Sequence, residues 1–109
     1  MSAYLRILVT GKSGRMGQTI IACAQRDPEV DVVATHDVGE ALAPALEPAD
    51  TVIDFTIHGF TPMLVDAAVA TGKRLVIGTT GHNDGELGRI REAATVLPVV
   101  FAPNFSVGV

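Results

Sequence analysis

Short apolar runs separated by amphipathic or polar stretches recur along the chain. They are Leu5–Val9, Asp31–Asp37, Thr51–Thr56, Arg74–Ile77 and Leu97–Phe101. Each is short, rich in Val, Ile and Thr, and bounded by Gly, Pro or Asp, which predicts five buried strands. Between them Met16, Ile20, Cys23 and Ala24 recur at helical spacing, and that helix stops before Pro28. Thr61 and Pro62 predict the N-cap and first turn of the next helix, Leu64, Ala67, Ala68 and Thr71 continue its apolar spacing, and Gly72 ends it. Asn83 and Glu86 have the spacing of a capping box, so a further helix is expected over 84–94. Pro44 and Pro48 interrupt 40–49, which reads as a connector. Strands separated by helical segments are too far apart for hairpins and imply parallel pairing through right-handed crossovers. The predicted fold is α/β, a Rossmann-like doubly wound parallel sheet of about five strands in a single domain.

The first strand runs into Thr10-Gly11-Lys12-Ser13-Gly14-Arg15-Met16-Gly17. Here Gly11 suits a tight turn, Gly14 lets backbone approach an anion, and Gly17 lets the helix pack against the sheet. Backbone N–H groups at that helix start favour phosphate. Ser13 stands where the commoner dinucleotide fingerprint has its second glycine, so the spacing is a variant. A P-loop is excluded, because Arg6 occupies the position of its first glycine. Asp37 lies 20 residues beyond Gly17, the distance at which a strand-end carboxylate accepts hydrogen bonds from an adenosine ribose. Val38 and Gly39 follow where an NADP-preferring enzyme often carries arginine. The expectation is therefore NADH, with NADPH as the alternative and Lys12 or Arg15 as the cations that would reach its 2′-phosphate. Gly78-Thr79-Thr80-Gly81 supplies two hydroxyls at another strand end.

Composition narrows the class. Hydrophobic residues make up 48% and charged residues 18% of the 109, which favours an ordered globular chain over a disordered one. A net charge of −4 leaves no broad basic face for nucleic acid or anionic lipid. No apolar run approaches the roughly 20 residues that cross a bilayer, so the expectation is a soluble, cytoplasmic protein. Cys23 is the only cysteine, on the apolar face of the first helix, and reads as a buried thiol. His36, His58 and His82 have no clear base or metal partner and read as surface or locally hydrogen-bonded residues, with His36 bordering an adenine as the alternative, and Asp54 is placed to cap backbone groups at a strand end. No metal-ligand constellation is visible.

Four ordered motifs, Gly11–Gly17, Val52-Ile53-Asp54-Phe55-Thr56, Val76–Gly81 and Ala102–Val109, together resemble the amino-terminal domain of dihydrodipicolinate reductase over nearly the whole chain. The resemblance implies an enzyme that reduces 4-hydroxy-tetrahydrodipicolinate with NADH or NADPH in bacterial diaminopimelate and lysine biosynthesis. It assigns Gly11, Lys12, Ser13, Gly14, Arg15 and Met16 to the pyrophosphate loop and Asp37 to the ribose. Gly78, Thr79 and Thr80 match the loop near the nicotinamide, Thr80 also meets the substrate carboxylate, and Ala102, Pro103, Asn104 and Phe105 form the second nicotinamide-side segment. The family's His-His and Lys-bearing substrate motif, its tetramer-forming sheet and a segment returning to the first domain are implied beyond Val109. No catalytic residue is therefore expected within the chain, which should bind the dinucleotide without turning over substrate alone. His58-Gly59 and His82 depart from the residues common in relatives. Two other readings compete: a noncatalytic dinucleotide-sensing module, and the cofactor domain of a different reductase.

Overall fold

The computed structural model of the chain describes residues 5–102. In chain order the elements are β1 (Leu5–Thr10), α1 (Arg15–Gln25), β2 (Val30–His36), α2 (Ala43–Leu46), β3 (Thr51–Asp54), a 3-10 turn (His58–Phe60), α3 (Thr61–Thr71), β4 (Arg74–Ile77), α4 (Asp84–Ala93) and β5 (Val99–Phe101). All five strands run parallel in the order β2-β1-β3-β4-β5. This is the doubly wound Rossmann-like sheet that the sequence predicts. The chain first steps outward from β1 to β2, then crosses back to build β3, β4 and β5 on the other side of β1. Where the winding reverses, between β1 and β3, the connections diverge and leave a crevice at the carboxyl ends of the strands.

Side chains alternate across the sheet. Leu8, Val52, Leu75 and Ile77 face the layer of α2, α3 and α4, where Leu46, Leu64 and Ala68 bury against them. Ile7, Val9 and Ile53 face α1 and its Ile20, Ile21 and Ala24. That second layer is thinner. With α1 alone over β1 and β2, Val76 is only half-buried and Val100 is 53% exposed.

The thin layer accounts for two departures from the sequence reading. Cys23 is exposed and not buried. Gly17 and Ala24 take the inward positions of α1, and Cys23 falls on the flank overlooking a shallow groove of about 230 Å³ with Leu5, Ile20, Val30 and Ile53. Likewise β2 is a largely half-buried edge strand in which only His36 is buried, because the strand order places it outermost.

Local signals elsewhere behave as their chemistry directs. Asn83 and Glu86 form the capping box of α4, each side chain accepting from the other's backbone N–H at 2.8 and 2.9 Å. Gly72 closes α3 in the left-handed conformation, at φ 71°. Thr61 does not cap α3, because the 3-10 turn winds the chain before it and Phe60 takes the N-cap position. The Thr61 hydroxyl bonds His82 Nε2 at 2.7 Å instead. Phe55 and Thr56, expected within the third strand, lie beyond its end in the crevice. Among the described residues no helix is long and apolar enough to cross a membrane.

Candidate functional site

Two cavities meet in the crevice. One, of about 450 Å³, is lined by Gly11, Ser13, Gly14, Asp37, Val38, Phe55, Thr56 and Ile57. The other, of about 290 Å³, is lined by Gly14, Arg15, Met16, Phe55, Thr56, Gly78, Thr79 and Thr80. They share Gly14, Phe55 and Thr56, so the glycine loop sits at the middle of one continuous trough. A larger groove of about 520 Å³ between α3 and α4, lined by Val65, Val69 and Val96 among others, carries the Asp66–Arg89 surface ion pair and Glu92 as its polar residues and lies away from the strand ends.

The three glycines of the loop have different reasons. Gly11 adopts φ +81°, and a Cβ there would lie 2.5 Å from the Phe55 carbonyl oxygen. At Gly17 a Cβ would lie 1.9 Å from the Gly11 carbonyl oxygen, so the fold itself demands glycine at both. Gly14 is different: its φ is −80°, and a Cβ would meet only the Gly11 carbonyl oxygen at an ordinary 3.5 Å. Nothing in the protein's own packing requires glycine at the centre of the trough, and without a Cβ its backbone lies open to whatever the trough receives.

Backbone donors narrow where an anion would bind. Gly11 and Lys12 N–H both donate to the His36 carbonyl, Gly14 N–H donates to the Gly11 carbonyl, and Ser13 N–H donates to Asp37 Oδ1 at 3.3 Å. The N–H groups of Arg15, Met16 and Gly17 have no acceptor among the described residues. They begin α1, whose first turn carries no side-chain cap and no acidic residue. A helix start left open in this way presents donors and the positive end of its dipole to a negative group.

At one end of the trough the turn after β2 is closed by Glu40. Its carboxylate accepts from Asp37 N–H at 3.0 Å, its N–H donates to the Asp37 carbonyl, and its carbonyl accepts from His36 Nε2 at 2.9 Å. The Glu40 carboxylate also pairs with Lys12 Nζ at 3.0 Å, tying the turn to the glycine loop. Bonding to Ser13, helped by Lys12, holds the Asp37 carboxyl below the ordinary carboxylate range, against a smaller opposing desolvation. Glu40 is held low first by the Asp37 N–H and then by Lys12. His36 does not border the trough. It is 1% exposed and stacks on Phe60 with ring centroids 5.5 Å apart, so it belongs to the core beneath the turn.

Beneath the other end lies Asp54, fully buried at the carboxyl end of β3. Its Oδ1 accepts from the hydroxyls of Thr10 at 2.5 Å and Thr56 at 2.7 Å, and from Thr56 N–H at 3.3 Å. Its Oδ2 accepts from the Thr79 hydroxyl at 2.9 Å. One carboxyl group thus stitches β1 to the loops after β3 and β4. The backbone-capping role expected for Asp54 is present, but it is the minor part. Thr79 is turned inward to this carboxyl and is 5% exposed, whereas Thr80 stands exposed at the mouth. Gly78 lets the Phe55 ring lie where a Cβ would come within 2.2 Å of it.

His58 Nδ1 lies 2.9 and 3.1 Å from the two carboxylate oxygens of Glu86, beside this end of the trough. Glu86 is held low first by the Asn83 N–H and then by His58. The His82 ring packs edge-on to Phe101 with centroids 5.4 Å apart. Ala102 N–H bonds the Ile77 carbonyl at 2.8 Å, which brings the start of the last motif beside β4. Pro103, Asn104 and Phe105 lie outside the described residues. The structure therefore gathers Gly11, Ser13–Met16, Asp37 and Gly78–Thr80 along one trough, whereas the Lys12 side chain lines neither cavity and is paired with Glu40. Two participants escaped the sequence reading: Glu40, whose signal was an acid three residues after Asp37 with a lysine in the glycine loop, and the Asp54 cluster, whose signal was a hydroxyl at each of three strand ends.

These features define a doubly wound α/β domain with an uncapped helix start, its N–H groups open, at the switch point. The chain belongs to the dihydrodipicolinate reductase family, through the amino-terminal part: the family model "Dihydrodipicolinate reductase, N-terminus" matches residues 5–105. A 4-hydroxy-tetrahydrodipicolinate reductase of Akkermansia muciniphila is 52% identical over 105 residues, covering 96% of this chain and 43% of the relative. One from Acinetobacter baumannii is 39% identical, covering 100% of this chain and 48% of the relative. The structure titled dipicolinate-bound dihydrodipicolinate reductase from Paenisporosarcina sp. TG-14 superposes with a TM-score of 0.78 at 21% identity, over 95% of this chain and 49% of that one, and shows the shared fold. The chain thus spans about half the length of the relatives it matches.

Proposed function

We propose that this chain binds NADH or NADPH along the trough and supplies the cofactor half of a reductase acting on 4-hydroxy-tetrahydrodipicolinate. The observation that carries the reading is Gly14, a glycine the fold does not need, set beside three unpartnered N–H groups where two cavities join. The Arg15, Met16 and Gly17 N–H groups would hold the pyrophosphate, Asp37 the adenosine ribose, and the Gly78–Thr80 loop with Ala102–Phe105 the nicotinamide. When bound, the nicotinamide supplies a hydride. The protein's part is to fix which face it presents. Thr80, exposed at the mouth, is the group placed to meet a substrate carboxylate, while Thr79 is committed to Asp54 and positions the loop. No general acid lies among these residues. Substrate protonation, assembly into a homotetramer and the rest of the substrate site fall to sequence outside this chain.

Calorimetric titration of NADH and NADPH into the chain tests the cofactor reading, with saturable one-to-one binding expected. Gly14→Ala should keep the wild-type melting temperature and weaken binding at least tenfold. Absence of binding by folded wild-type chain, or normal binding by Gly14→Ala, would refute it. Turnover is expected only when the remainder of a relative is added in trans. Binding with no turnover in that mixture would favour a nucleotide-sensing module.

A further inference from the structure

Among the eight residues lining the Asp37 end of the trough there is no cation, and the only charge is that of Asp37 itself. Arg15 lines the opposite cavity, beside Thr79 and Thr80. Among the described residues Lys12 is the one cation fixed beside the turn after β2, and both Glu40 carboxylate oxygens lie within 3.1 Å of its Nζ. The same carboxylate accepts the Asp37 N–H, so it stands within the turn that carries the ribose-binding acid.

A 2′-phosphate differs from a 2′-hydroxyl at this point by a doubly charged group that needs donors and positive charge. Here it would meet Asp37, Glu40 and a lysine already held by Glu40. Lys12 with those two carboxylates sums to one net negative charge. We infer that Glu40 is a specificity-determining residue that selects NADH over NADPH by holding Lys12 away from the 2′ position and adding a second carboxylate there. The inference rests on the cofactor reading above and goes beyond it by naming the discriminating side chain.

Glu40→Gln keeps a carbonyl oxygen for the Asp37 N–H while removing the charge that holds Lys12. Wild-type chain should bind NADH at least tenfold more tightly than NADPH, and Glu40→Gln should raise the NADPH-to-NADH affinity ratio at least fivefold. Glu40→Ala, which also removes the acceptor, should move the ratio in the same direction. Lys12→Ala added to Glu40→Gln should abolish most of the gain. A wild-type preference for NADPH, or a ratio that neither Glu40 variant moves, would overturn the inference while leaving cofactor binding intact. Failure of folded wild-type chain to bind either coenzyme would instead refute the cofactor reading, and this inference with it.

Discussion

The two ends of the trough are held in opposite ways. At the β3–β4 end a fully buried carboxyl takes three hydroxyls and one N–H, and the Thr10 and Thr79 hydroxyls among them are shut away from solvent while Thr56 is half-buried. At the β2 end an exposed carboxylate ties a lysine and a backbone N–H, with water free to compete for both. Hydrogen bonds of similar length therefore do different things. The buried set fixes the frame, because an unmade bond there leaves a desolvated polar group. The exposed set sets local charge and shape while contributing little to folding.

The largest effect should come from Asp54→Ala. It strands the Thr10 and Thr79 hydroxyls in the interior and frees Thr56, and should cost about 3 kcal/mol or more out of a total stability of about 5–15 kcal/mol. Urea unfolding measures it, and a loss under about 1 kcal/mol would erase the contrast between the ends. Thr79→Val, nearly the same shape, removes one donor and should cost about 1 kcal/mol. It should also weaken NADH binding, since it releases the loop that presents Thr80.

Acidification probes the exposed end. The Asp37 and Glu40 carboxyls are held below the ordinary range in the folded chain. Lower folded values mean that they favour folding above the unfolded range, near about pH 4. That contribution disappears as the pH falls through the lowered values. Melting temperature should thus decline below about pH 4, and less steeply in Glu40→Gln. At neutral pH, by contrast, Glu40→Gln should leave the melting temperature unchanged within error, the smallest effect of all. A clear drop would show the exposed pair to be part of the frame.

The parts of the fold legible in the sequence were those with local causes. Arg74–Ile77 is a strand in the predicted span because an apolar run sits between Gly72 and Gly78. The α4 start was readable because Asn83 and Glu86 carry their own capping chemistry three residues apart. The Gly11 and Gly17 requirements follow from a tight turn into a helix, and the trough's position follows from alternating strands and helices. Reading failed where the cause was distant. Cys23 fits an apolar stripe, and only the single-helix layer over that face leaves it exposed. Thr61 looks like a cap until His82, far along the chain, claims its hydroxyl.

Sequence alone thus determined the order of elements, the parallel sheet, the glycine loop and the family, because periodicity, turn chemistry and motif spacing act over a few residues or one crossover. Only tertiary structure decided that Thr10, Asp54 and Thr79 share one buried carboxyl, that Glu40 holds Lys12, and that the first helix start keeps its donors open. Those contacts join residues 28 to 44 positions apart along the chain, except for the 25 between Asp54 and Thr79. Their partners are chosen by strand register and by which groups the fold removes from water, and neither is written in any local stretch.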